Sequence, residues 1–212
     1  MSWQIKYALA NIAEQPGLTA EHVNGELIRI VARDQPDVLA VISAADEIDA
    51  AMAASYLESY PDADFLCGYR KSCVWHGEAI RYLEGAGVGW GSAGTMTSAA
   101  LDGAANTASH KTYLFADRLL RQHGRVQEVY REYDRIHRIT LVSGTVLRIG
   151  MIADYEPTAD AVRSLWDDFG PVDIVWNINP NGRPSPEANE AGIALGCEVM
   201  KWEALRGRLR AA

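Results

Sequence analysis

The stretch VDIVWNINPNGRPSPEANEAGIALGCEVMKW, residues 172–202, decides the fold class. Its opening, VDIVWNIN (172–179), is a mostly apolar run of strand length. Asn181-Gly182 supplies turn chemistry. Ser185 then stands as a helix cap with proline at the first helical position, and Gly196 ends that helix. CEVMKW (197–202) follows as a second short strand. Strand, loop, helix and strand in this order read as the closing part of an α/β domain.

Working outward, KTYLFADRLLRQHG (111–124) places Leu114, Phe115, Leu119 and Leu120 at helical spacing and stops at Gly124. VQEVYREYD (126–134) reads as a strand. HRITLVSGTVLRIGMIAD (137–154) alternates around Ser143-Gly144 and is expected to be a hairpin. TADAVRSLWDDFG (158–170) is a capped helix, and EALRGRLR (203–210) is a short final one. The expected order for 110–212 is α-β-β-β-α-β-α-β-α.

The first half reads differently. Residues 3–14 are weakly helical, and TAEHVNGELIRIVARD from Thr19 is expected to be a second helix. Strands are expected at 37–43 and 64–70, with helices at 45–59 and 76–87. This gives a small Rossmann-like β-α-β-α half over 1–84. The Gly-, Ser-, Thr- and Ala-rich residues 85–109 are expected to be a connector between the halves, as a loop, a linker or a lightly structured strand.

The element order of 110–212 resembles the core of restriction-endonuclease-like nucleases of the Mrr type. The residues that carry the resemblance are FADRLLRQHG, the strand ending at Asp134, and DIVWNINPNGRPSPEANEAGIALGCEVMKWEALRGRL. The resemblance implies acidic residues around Mg²⁺. Asp134 matches the family's first acid. Arg148-Ile149-Gly150 stands where the family places an acid-x-lysine pair, and Asp154 and Glu156 follow at the strand end. The resemblance therefore implies either a catalytically degenerate, nucleic-acid-associated protein or a displaced site. In the second case Asp134, Asp154 and Glu156 would be catalytic, with Asp134 and Asp154 holding the metal. A non-enzymatic small-ligand sensor or protein-interaction module is the alternative.

Net charge is −8 overall. Residues 1–108 hold 6 Lys and Arg against 14 Asp and Glu, and residues 109–212 hold 14 of each. Seven arginines fall within 117–148, so nucleic acid is expected to contact that region if it binds at all; a solvated helix and hairpin surface is the plainer reading. No apolar run is long enough to span a membrane, so no membrane partner is expected. The N-terminus lacks secretory character, and three scattered cysteines make no disulfide framework, so a cytoplasmic location is expected. The sequence leaves homo-oligomer formation open.

Asn177, Asn179, Asn181 and Arg183 sit at a strand's carboxyl end, where α/β sheets bind ligands. With Arg148 they form the candidate ligand-binding set; ordinary turn chemistry is the alternative reading. Gly89-Trp90-Gly91-Ser92-Ala93-Gly94 matches a dinucleotide fingerprint by letter but lacks its strand-to-helix context. Cys67, Cys73 and His76 could ligate zinc only with a fourth group, and a buried strand cysteine is the plainer reading.

Overall fold

The computed structural model describes residues 1–211 and divides the chain into two compact units, Met1–His110 and the remainder from Lys111. In the first unit, α1 (Trp3–Ala13) precedes strands β1 (Leu18–Asn24), β2 (Leu27–Ala32) and β3 (Val38–Ser43). There follow β4 (Glu47–Ile48), α2 (Ala50–Ser59), β5 (Phe65–Gly68), β6 (Val74–Trp75), α3 (Gly77–Ala86), β7 (Gly89–Gly91) and α4 (Ala93–Leu101). The main sheet runs β1-β2-β3-β5-β7, antiparallel through β3 and parallel beyond it.

The second unit comprises α5 (Lys111–Arg121), β8 (Val126–Tyr133), β9 (Ile136–Leu141), β10 (Val146–Ile152) and α6 (Ala159–Phe169). It closes with β11 (Ile174–Asn177), α7 (Pro186–Leu195), β12 (Glu198–Lys201) and α8 (Trp202–Ala211). Its sheet runs β8-β9-β10-β11-β12, again antiparallel through the first three strands and parallel through the last three.

The two units therefore share one topology, and the match extends to individual bonds. The Asp64 carboxylate accepts from the Leu39 amide at 2.9 Å, and the Asp173 carboxylate accepts from the Arg148 amide at 2.7 Å. Both pairs are offset by 109 residues (173 minus 64; 148 minus 39). At the same offset, Gly87 and Gly196 end α3 and α7 in the left-handed conformation that favours glycine. β1 and β8 each shift register at one matched place, between His22 and Asn24 and between Arg131 and Tyr133. Such bulges are local features of a particular ladder, so their recurrence marks a repeated design.

Helices cover both faces of each sheet. In the second unit, Ala116 and Leu120 of α5 and Leu205 and Leu209 of α8 pack on Ile139, Ile149, Ile174 and Trp176. Val162, Leu165, Ala188 and Ala191 cover the opposite face over Val175. Each such Leu, Ile or Val contributes about 1.5–3 kcal/mol by leaving water.

Two expectations for the first unit are corrected. Residues 19–34 form the β1–β2 hairpin, not a helix. Gly25-Glu26 turns the chain between the paired Asn24 and Leu27, with Gly25 at φ 49°, and Leu27, Ile28, Ile30 and Ala32 are buried in a near-alternating pattern. The unit is thus more than a β-α-β-α half. Residues 85–109 are not a bare connector, because they hold β7, α4 and a 3₁₀ turn at Ala105–Thr107. The glycines there serve packing: a Cβ on Gly89 would collide with the Ala105 carbonyl, and one on Gly91 would press on Thr95.

Candidate functional site

The internal repeat supplies a control for what the fold itself needs. In the first unit Leu9, at the helix offset of 108 (Lys111 minus Trp3), and His22 and Ile28, at the strand offset of 109, occupy matched positions, and Ile28 is wholly buried. The second unit replaces them with Asp117, Arg131 and His137. His137 Nε2 lies 3.0 Å from Asp117 Oδ1, and Arg121 Nε donates to Asp117 Oδ2 at 2.7 Å. Arg131 stands 3.5 Å from the same carboxylate. Burial alone would raise the Asp117 pKa, but the bonds from His137 and Arg121 and the Arg131 charge hold it far below the ordinary carboxylate value. Burial lowers the His137 pKa, so the ring stays neutral more readily.

Most of the arginines expected to meet nucleic acid are committed within the unit. Arg121 and Arg131 face Asp117, Arg135 grips Asp134, and Arg138 and Arg148 share Glu132. Arg125 has no carboxylate partner among the described residues. It joins Arg206 and Arg210 of α8 along a groove of about 760 Å³ that also borders His123 and Trp202. The two α8 arginines likewise lack carboxylate partners among the described residues. The His123 pKa is lowered first by burial, then by the charges of Arg210, Arg206 and Arg125, so the groove carries positive potential.

Beside this groove, and sharing Leu119 and Trp202 with it, lies a cavity of about 420 Å³. Phe115 of α5, Trp176 and Asn177 of β11, and Trp202 of α8 help line it. The Trp176 and Trp202 rings stand 5.2 Å apart with planes 30° from parallel. Phe115 is 60% exposed on its helix. Lys201 reaches across to donate to the Pro180 carbonyl at 3.1 Å.

The Asn-rich strand end is built from consecutive side-chain turns. Asn177 Oδ1 accepts from the Asn179 amide, and Asn179 Oδ1 accepts from the Asn181 amide, each at 3.0 Å. Asn179 Nδ2 donates to the Ala153 carbonyl. Turn chemistry thus occupies most of the set, while Asn177 Nδ2 and Trp176 Nε1 are buried donors without a partner. Asn181 and Arg183 are exposed. Arg148 does not join them. It lies four residues before the β10 position paired with Asn177, about 13 Å down the strand, and its guanidinium binds Glu132 and the Pro171 carbonyl.

The carboxylates expected at a metal centre do not assemble into a triad. Asp134 sits in the β8–β9 turn, buried, with its oxygens accepting from Arg135 at 3.1 and 2.9 Å. Asp154 borders a cavity of about 220 Å³ with Tyr113, Arg135 and Asp168. Burial pushes the Tyr113 hydroxyl up to about 12; Arg135 opposes this, and Asp134 and Asp154 add to it. Glu156 is exposed and does not border that cavity. Among the described residues, no three His, Cys, Asp or Glu side chains gather to hold an ion, and this includes Cys67, Cys73 and His76. No described helix is long and apolar enough to cross a membrane.

The residues that sequence reasoning missed are Trp202, Arg206 and Arg210; their signal was a basic, aromatic-led final helix. No protein-family model, curated protein or solved structure matches this chain.

Proposed function

We propose that this protein is a non-catalytic, nucleic-acid-associated relative of the restriction-endonuclease-like nucleases, and that its second unit carries the binding surface. The observation that carries the reading is the groove where Arg125, Arg206 and Arg210 converge without carboxylate partners among the described residues. Phosphate binding needs this kind of uncommitted local positive charge, whatever the net charge of the chain.

Support for the fold half of the reading is the order α-β-β-β-α-β-α-β-α with the mixed sheet of the second unit. Support for loss of catalysis comes from the positions where acid-x-lysine would stand. Arg148 is held by Glu132, Ile149 is buried, and Gly150 lies against Leu165. Asp134 spends both oxygens on Arg135.

Anisotropy titration of a labelled oligonucleotide against ionic strength tests the reading, run beside a cleavage assay in Mg²⁺ and Mn²⁺. Salt-dependent binding without cleavage is expected. Absence of binding at low salt removes the proposal.

A further inference from the structure

We infer that the cavity between α5, β11 and α8 receives a nucleobase, whose phosphate lies in the adjoining arginine groove. The inference rests on the nucleic-acid reading above and names what that surface recognises. A nucleotide brings a flat ring, hydrogen-bond acceptors on the ring edge, and an anion a short distance away. The second unit presents a matching feature for each.

The ring meets Phe115 and Trp202, aromatic side chains bordering the cavity, the first of them largely exposed. Stacking on such side chains is sequence-tolerant, because every base has a π face. An acceptor meets Trp176, 2% exposed, which borders the cavity and holds a donor nitrogen without a partner. A buried donor left unmade is costly, and a base carbonyl or ring nitrogen supplies what it lacks. The anion meets Arg125, Arg206 and Arg210, across the Trp202 and Leu119 that both hollows share. An aromatic peptide side chain would satisfy the first feature only.

The repeat sharpens the assignment. At the first-unit position matched to Trp176 stands Cys67. The shared topology therefore does not require a tryptophan there, and only the second unit builds this recognition set.

The test compares three probes by anisotropy and tryptophan quenching: a mixed-sequence single-stranded oligonucleotide, the same backbone made abasic throughout, and a nucleoside monophosphate. The single strand should bind roughly tenfold tighter than the abasic strand and quench tryptophan emission. Phe115→Ala, at an exposed position that leaves the core intact, should erase that difference while abasic binding persists. Trp176→Phe, which keeps a ring and removes the donor, should erase part of it. Equal binding of single and abasic strands overturns the base pocket and leaves the phosphate groove standing. Failure of both strands overturns both readings. A monophosphate that binds and quenches as well as the strand supports the base pocket and identifies a free nucleotide as the ligand, against the strand reading.

Discussion

His137 Nε2 stands 3.0 Å from Asp117 Oδ1, in a helix–strand contact that the first unit fills with Ile28 and Leu9. One chain therefore contains an apolar and an ionic solution to the same packing problem. Removing one member of a buried ionic set leaves charge uncompensated, whereas replacing the whole set with apolar groups is often neutral or stabilising. Asp117→Leu alone should cost about 3 kcal/mol in chemical denaturation. The triple variant Asp117→Leu/Arg131→Gln/His137→Ile should recover most or all of that loss. A triple variant as unstable as the single one would show that the second unit depends on the ionic cluster.

The same cluster makes stability fall in acid. His137 has a folded pKa below its ordinary 6.5, so the unfolded chain takes up a proton there first, and stability declines as pH drops through that region. Asp117 is likewise depressed below its ordinary 3.8; its contribution is present above that value and is lost as pH falls beneath it. Melting temperature measured between pH 8 and pH 3 should therefore decline more steeply for the native chain than for the triple variant, which keeps none of these titrating groups. Parallel curves would sink this explanation.

The matched carboxylates Asp64 and Asp173 each tie an amide of the neighbouring strand to the start of a parallel strand. Alanine at either position removes the amide's partner and should cost about 0.5–1.5 kcal/mol. Equal losses from the two single variants, in whichever unit each resides, would mark a shared structural role. A loss at one position only would contradict the equivalence.

The second unit was legible because its periodicities agree with its capping and turn residues: Ser185 and Thr158 start helices, Gly196 and Gly170 stop them, and Ser143-Gly144 turns the hairpin. The first unit concealed its hairpin in TAEHVNGELIRIVARD, where threonine followed by glutamate resembles a helix start. The deciding signal was Gly25, which opens the two-residue turn between Asn24 and Leu27, flanked by alternating burial. The repeat was hidden for a related reason. Few identities, such as Arg29 with Arg138 and Glu78 with Glu187, survive the 109-residue offset (138 minus 29), while hydrogen-bond pattern and register persist. In the candidate site, the Asn-rich strand end lies beside the cavity that Trp176, Asn177 and Asn179 border. Which arginines were uncommitted depends on ion pairs formed between distant segments, and charge counting along 117–148 could not reveal that.

The groove itself gives the most direct measurement. Arg125, Arg206 and Arg210 are all exposed, so Arg125→Glu/Arg206→Glu/Arg210→Glu should fold normally. Anisotropy of a labelled single-stranded oligonucleotide at low salt should show binding by the native chain, with affinity falling as salt rises at a slope of about −0.7 per phosphate contacted. Binding should vanish in the charge-reversed variant. Undiminished binding by that variant, or no binding by the native chain, would contradict the account.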